Sequence, residues 1–382
     1  MIKHTSLLIL FLGIIATACK SGSGKELSFG TQERIDMAAA TEVDLDEFVE
    51  EITCIPLQDM PDATQENWKL VAYKDYFYLW YFGSFQVQVF DKNGVHIQSI
   101  DERYKGKGKI QSPCDIFVDP AKEELNIVDG GIFLRRYTLQ GDYIATTQLE
   151  DPVSKVAYAN DGTIVAYADL NDRTNEYLFH SYDDGMNAPN KSSVEKGVMK
   201  RCNVSYKGAS FTTDQNTHDL YALIDKKGLI YKYVAGEMLP YIEVDFHGDL
   251  FTEGYYPENG FTDKEMSDIL KSGMYIDSLN GFHCIDGNLI FKSADKAPHY
   301  YWINLSNKQC FKSKTLFEGY APSQLIPLSG SDGTYVYMED TKSALAAHYK
   351  GKKSKHNSIN EFLSSSSDEE VVILRLKLNF KS

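Results

Sequence analysis

Residues 73–100 read YKDYFYLWYFGSFQVQVFDKNGVHIQSI. Tyr76 to Tyr81 is an aromatic and aliphatic run of strand length. Phe85 to Phe90 sets Phe85, Val87 and Val89 against Gln86 and Gln88, the period of two expected of a strand. Asp91-Lys92-Asn93-Gly94 supplies turn chemistry, with Asn-Gly suited to the positive φ of a tight hairpin. Val95 to Ile100 then reads as a further strand. The pattern returns downstream. Leu125 to Asp129 answers Tyr78 to Phe82, Ile132 to Tyr137 answers Phe85 to Phe90, and Gln140 to Ile144 answers Asn93 to Ile97. Gly94 and Gly141 stand about 47 residues apart, the repeat length of a propeller blade.

Further copies follow along the chain. A second unit runs Pro113 to Leu149, with Asp115 to Asp119 as its first strand. A third starts at Val153 to Tyr158 and continues through Asp161 to Tyr167 and Tyr177 to Tyr182. A fourth comprises Val204 to Phe211, Asp219 to Ile224, Leu229 to Val234 and Leu239 to Phe246. A fifth comprises Gly281 to Cys284, Asp286 to Lys292, His299 to Asn304 and Gln309 to Leu316. A sixth starts at Leu325 and passes through Asp332 to Met338, and Glu370 to Phe380 is a last strand. An Asp-Gly pair before an apolar strand recurs at Asp161, Asp286 and Asp332. Two capping boxes predict short helical inserts, Thr262 with Glu265 and Ser358 with Glu361. Repeated four-stranded units must bury both faces, and radial closure does so while leaving only short edges. The expectation is an all-β, six-bladed β-propeller with four-stranded antiparallel blades and short helical inserts. Closure needs a strand near Thr53 to Leu57, or near Phe29, to join the sheet holding Glu370 to Phe380. Before it, Leu45, Phe48, Val49 and Ile52 have helical spacing.

Composition agrees with β structure: 43% of residues are hydrophobic, 13% are aromatic and 25 are tyrosines. The formal net charge of -15 argues against nucleic acid as a partner, because phosphate binding needs a basic footprint. Two short basic runs, Arg103 to Lys109 and Lys350 to Lys355, read as solvated loops. Besides Cys19 the chain has Cys54, Cys114, Cys202, Cys284 and Cys310, an odd number without CxxC spacing. Most are expected to be buried single thiols, with Cys284 and Cys310 the one pair considered for a bridge.

The N-terminus reads as an export signal. Lys3 and His4 form a short positive region and Leu7 to Ile15 an apolar one, too short to favour a spanning helix. Ala16-Thr17-Ala18-Cys19 resembles a bacterial lipobox, whose cysteine becomes the lipid-modified N-terminus. The alternative is an ordinary signal peptide cut near Ala18. This gives residues 1–18 as lipoprotein signal peptide, residues 19–27 as lipidated Cys19 and flexible tether, and residues 28–382 as a single propeller domain.

Taken together, the lipobox at Cys19, the run Phe48 to Leu57 (FVEEITCIPL), the run Val89 to Gly94 and the second unit through Asp115 to Ile144 carry a resemblance. The chain resembles the six-bladed β-propeller lipoproteins of Bacteroidetes, relatives of NHL-repeat propellers. Their usual Gly-Pro-Gly-Glu-like loop is replaced here by Lys105 to Pro113. The resemblance implies fold and export rather than chemistry. Surface-exported lipoproteins of this type carry an acidic cluster after the cysteine, where this chain has Lys20 and Ser21. The expected location is therefore the outer membrane, facing the periplasm.

No HExxH, P-loop, GxSxG or CxxC pairing is present. Asp214 to Asp219 is polar enough for a calcium loop but lacks its glycine and terminal Glu. No catalytic residue, metal ligand or cofactor is expected. The ligand-rim candidates are Tyr81 and Phe82, at the end of their strand, with Asp129, Arg135 and Arg136 beside the equivalent loop of the next blade and Arg103 and Lys105 nearby. Arg135 and Arg136 must face opposite sides of their strand. The leading expectation is a non-catalytic binding or assembly module, held to the membrane by its N-terminal lipid and serving an envelope protein or a small ligand. The alternatives are a propeller lyase or hydrolase acting on a glycan or lactone, and a ligand-binding accessory of an outer-membrane uptake system.

Overall fold

The computed structural model describes residues 32–59, 67–81, 85–104, 106–168, 176–183, 186, 188–196, 209–255, 262–276, 278–294, 298–322, 328–365 and 370–380. Met1–Gln32 and Glu33–Ser382 are separate units; of the first only Gln32 is described, and it is exposed. Cys19, Phe29, Phe82, Lys105 and Cys202 lie outside the described residues.

The chain is a six-bladed β-propeller of antiparallel four-stranded blades. Blade 1 is Asn67–Tyr73, Tyr76–Tyr81, Gln86–Asp91 and His96–Ile100. Blade 2 is Pro113–Asp119, Glu124–Asp129, Phe133–Thr138 and Tyr143–Gln148. Blade 3 is Val153–Tyr158, Ile164–Ala168, Tyr177–Tyr182 and Lys191–Glu195. Blade 4 is Ala209–Thr213, Leu220–Ile224, Leu229–Val234 and Glu237–Asp245. Blade 5 is Leu279–Ile285, Asn288–Ser293, Tyr300–Asn304 and Cys310–Ser313. Blade 6 combines Gly330–Ser331, Tyr335–Thr341 and Val371–Leu378 with Val49–Pro56 from the other end of the chain. The first strand of each blade touches that of the next, and the ring returns from Gly330–Ser331 to Asn67–Tyr73.

Closure is antiparallel, from Val372 opposite Pro56 to Leu378 opposite Val49. The segment just before it straps two more blades. Glu33–Asp36 lies parallel to the outer strand of blade 4, and Thr41–Glu42 lies parallel to that of blade 5. The helical spacing at Leu45 yields only a 3-10 turn, Leu45–Phe48, because Val49 and Ile52 are taken into the closing strand.

The apolar side chains form one cluster between each pair of neighbouring blades. Tyr78 and Trp80 pack against Ile116, Ile127 and Tyr137 of blade 2. Phe77, Leu79 and Tyr81, on the opposite face of the same strand, pack with Ile55, Tyr337 and Ile373 of blade 6. The other four clusters repeat this arrangement around the ring. Gln86 and Gln88 are buried too, although alternation with valine suggests a wet face. Gln88 donates to Gln86 at 2.8 Å and accepts from Ser99 at 2.7 Å, so the buried amides have partners. Phe85 precedes the strand and is exposed.

Gly94 adopts φ +82°, and a Cβ there would stand 2.0 Å from the Pro56 carbonyl oxygen. The blade 1 turn thus sits directly on the closing strand, and Gln58 N–H donates to the Gly94 carbonyl at 2.8 Å. Of the two capping boxes, Thr262 and Glu265 form theirs at Asp263–Lys271. Ser358 does not cap. It sits inside Asn357–Ser364 and donates its hydroxyl to the Ile52 carbonyl, fastening this helix to the closing strand. A further helix, Lys342–His348, is capped by Thr341. Cys284 and Cys310 are free thiols, set on the inner and outer strands of blade 5 with two strands between them.

Ile52 is 3% exposed within the cluster between blades 5 and 6. Ile52→Ala should cost about 3 kcal/mol in urea unfolding, as expected for a cavity at a closing strand. A cost near zero would mean that closure does not limit stability.

Candidate functional site

The inner strands surround a central channel with a cavity volume of about 1610 Å³. Its mouth is built by the turns that follow those strands, including Lys74, Asp119 to Lys122, Asn160, Gln215 and Asp332. Deeper in, blades 1, 2 and 3 each break register near the start of the inner strand, between Asn67 and Lys69, Pro113 and Asp115, and Val153 and Lys155. A bulge re-aims the side chain beside it. In each case the residue after the break is charged: Lys69, Asp115 and Lys155.

These three groups meet. Lys69 Nζ lies 2.6 Å from Asp115 Oδ1, and Lys155 Nζ lies 3.9 Å from the same oxygen. Asp115 is fully buried, and its second oxygen accepts from Val156 N–H at 2.9 Å. Lys155 also donates to the Cys114 carbonyl at 3.0 Å and stands 4.8 Å from the centre of the Trp80 ring. Burial lowers the Lys155 pKa; Asp115 opposes this and Lys69 adds to it. Blade 5 has its own break between Asn280 and His283. His283 Nε2 lies 3.0 Å from the Leu328 carbonyl, which can only accept, so Nε2 carries the proton. Burial pushes His283 down to about 4, with the Leu328 carbonyl acting against it and Lys69 with it. His283 is therefore neutral at pH 7. Among the described residues no three His, Cys, Asp or Glu side chains gather as a metal set.

The rim candidates lie elsewhere, and those described do not line this cavity. Tyr81 is 1% exposed rather than presented on a rim, and its hydroxyl donates to Glu339 of blade 6. Arg103 is exposed and bonded to Asp101 at 2.5 Å. Arg135 and Arg136 do face opposite sides, each toward a carboxylate: Arg135 to Asp129 at 2.7 Å and Arg136 to Glu124 at 3.3 Å. Asp129 also accepts from the backbone N–H groups of Gln111 and Ser112, at 3.0 and 2.7 Å. The Arg135–Asp129 pair thus ties the link between blades 1 and 2 to blade 2. Tyr81 and Asp129 end the second strands of their blades, away from the turns of the channel mouth. The sequence signal for the throat was a charge inside an apolar strand at matching blade positions, WKLVAY, CDIFVD and SKVAY, visible once the blades are aligned.

The chain belongs to the DUF5128 family of 6-bladed beta-propellers, whose model matches residues 25–338. Among solved structures it is similar to a Bacteroides fragilis protein named for its presumed export. The TM-score is 0.68 at 14% identity, covering 91% of this chain and 99% of that one. A DUF4221 family member from Bacteroides vulgatus matches with a TM-score of 0.48 at 10% identity, covering 86% of this chain and 96% of that one. A catalytically inactive virginiamycin B lyase from Staphylococcus aureus, solved with quinupristin, matches with a TM-score of 0.44 at 12% identity, covering 86% and 100%. Identities this low bear on fold alone. No curated protein matches the chain in sequence. No helix among the described residues is long and apolar enough to cross a membrane.

Two predictions follow from the charged groups. Arg135→Ala leaves the buried Asp129 without its cation and should cost about 3 kcal/mol in chemical unfolding. A change within error would mean that the backbone N–H groups suffice. His283 binds its proton more weakly when folded than in an unfolded chain, where the value is about 6.5. Its contribution to stability is therefore full above that value, falls as pH drops toward about 4, and is level below. Urea midpoints from pH 7.5 to 4.5 should fall less for His283→Gln than for the parent chain. Parallel curves would refute this.

Proposed function

We infer that the protein is an exported, lipid-anchored binding module of the cell envelope, which holds a small ligand in its central channel. The observation that carries this reading is the channel itself, large enough for a ligand of drug-like size and lined by all six blades. Six hydrophobic interfaces hold the wall, so the site is preformed and binding does not require the scaffold to order. The charged throat lies within that wall. Export is supported by the apolar N-terminal segment and by the similarity to a protein named for export. The anchor is Cys19 of the lipobox-like run, and Lys20 and Ser21 after it favour the periplasmic face of the outer membrane.

Two measurements test the two halves. In membrane fractionation of a Bacteroides host, the parent chain should sediment with the outer membrane, and Cys19→Ala should leave that fraction. Unchanged sedimentation of the variant would remove the lipid anchor. Mass spectrometry of small molecules released on denaturing protein equilibrated with envelope extract should show one compound enriched to near-stoichiometric amount. Enrichment of none would remove the channel-binding half.

A further inference from the structure

We propose that Arg375 anchors an acid-binding site near the channel mouth, taking the carboxylate or phosphate group of a small organic ligand in the gap between blades 6 and 1. This rests on the channel-binding reading above and gives that ligand a chemical class and a position.

A missing partner is the first argument. Five arginines lie among the described residues. Four of them meet a carboxylate: Arg34 meets Asp245 at 2.6 Å, Arg103 meets Asp101 at 2.5 Å, Arg135 meets Asp129 at 2.7 Å and Arg136 meets Glu124 at 3.3 Å. Arg375 forms no ion pair among the described residues. Its hydrogen bond there runs from Nη2 to the Thr53 hydroxyl at 3.2 Å, while Nε is buried and bonds nothing. The nearest acid along this path is the exposed Glu51, which accepts from Thr53 at 2.9 Å and so reaches Arg375 only through a neutral hydroxyl. A guanidinium stays charged at any ordinary pH. Half-buried and without a counter-charge, it bears a desolvation cost that an anionic ligand would offset.

Geometry is the second argument. Arg375 stands opposite Tyr337 on one neighbouring strand and Thr53 on the other. Two residues before it, on the same face, Ile373 packs with Phe77 of blade 1. The interface is thus apolar up to Arg375, which lies toward the end of the strand pair nearer the Asp332 turn of the channel mouth. The guanidinium carbon sits 4.6 Å over the centre of the Tyr335 ring. The ring covers one face of the guanidinium plane and leaves its N–H edge for a pair of acid oxygens, the fork that arginine offers to carboxylate and phosphate.

The third argument is that the neighbouring charges are already taken. Asp332 accepts from the Tyr337 hydroxyl at 2.7 Å and from the N–H groups of Thr334 and Tyr335 at 2.9 and 2.8 Å. Lys92, in the same cavity wall, is paired with Asp75 at 2.8 Å. Elsewhere on blade 6, Glu339 finds its partner in Tyr81 of blade 1, whereas blade 1 offers Arg375 none among the described residues. The remaining wall beside Arg375 is Ile55, Phe77, Tyr335 and Tyr337, mostly carbon and ring. An acid with an aromatic or apolar body fits that wall.

Calorimetric titration of the purified protein with benzoate, phenyl phosphate and benzyl alcohol tests the site. At least one anion should bind about tenfold more tightly than benzyl alcohol, and the tighter anion identifies the preferred head group. Arg375→Met should weaken that anion about tenfold and leave benzyl alcohol unchanged. Arg375→Lys, which keeps the charge without the fork, should recover part of the loss, and Lys353→Met, on an exposed loop, should change nothing. If Arg375→Met does not fold, the preference of the parent chain for an anion over benzyl alcohol is itself the test. Equal binding of the anions and benzyl alcohol overturns the acid site and leaves channel binding standing. So does an Arg375→Met variant that keeps its anion affinity, since Arg375 then only braces Thr53 and Tyr335. Binding of neither anion also overturns the acid site, and a compound enriched from envelope extract would then keep channel binding standing without it.

Discussion

A sheet that is apolar on both faces cannot face water on either. Every blade here is such a sheet. On Tyr76–Tyr81 the odd and even residues are both buried, Tyr78 and Trp80 against blade 2 and Phe77, Leu79 and Tyr81 against blade 6. A lone blade would expose a large apolar surface, and a linear stack would leave its two end faces bare. A closed ring has no end faces. The strand Val49–Pro56 supplies the outer edge of blade 6 from the opposite end of the chain, and the turn at Gly94 packs onto it. The parallel strap on blades 4 and 5 and the helix fastened through Ser358 extend the same closure.

Once the ring is closed, polar groups at blade interfaces are stabilised by partners found there. Some find them: Tyr81 bonds Glu339 across two blades, and within single blades Arg135 meets Asp129 and Gln88 meets Gln86 and Ser99. Such pairs favour one arrangement of the strands, because leaving either partner unpaired would be costly. The throat differs in direction rather than in chemistry. Its bulges turn Lys69, Asp115 and Lys155 together beside open space, so one carboxylate serves two cations in the channel wall.

Much of the fold was legible in the chain. The repeat from Tyr76 to Ile100, its return near Gly141 and the Asp-Gly turns led to blades in their observed places. The closing strand followed from the need to hide an edge. The inner strand Asn67–Tyr73 and the outer strand Lys191–Glu195 were not recognised, since neither carries the aromatic alternation of the first repeat. The site was much less legible. The rim candidates were chosen as polar or aromatic residues near strand ends, and Tyr81 satisfies that description while being buried. Whether a strand end meets solvent or a neighbouring blade is set by the packing of the next repeat, which local sequence does not encode.

By itself, then, the sequence determined the periodic structure, the turn positions and the acidic charge balance. These depend on side-chain period, backbone preference and composition, all local properties of the chain. Only the tertiary structure decided which charged groups meet, and that three of them do so in the channel wall. Lys69 and Asp115 are 46 residues apart in sequence and Asp115 and Lys155 are 40 apart, about one blade repeat each. They come within 3.9 Å only because ring closure brings inner strands side by side and three bulges turn their side chains toward one point.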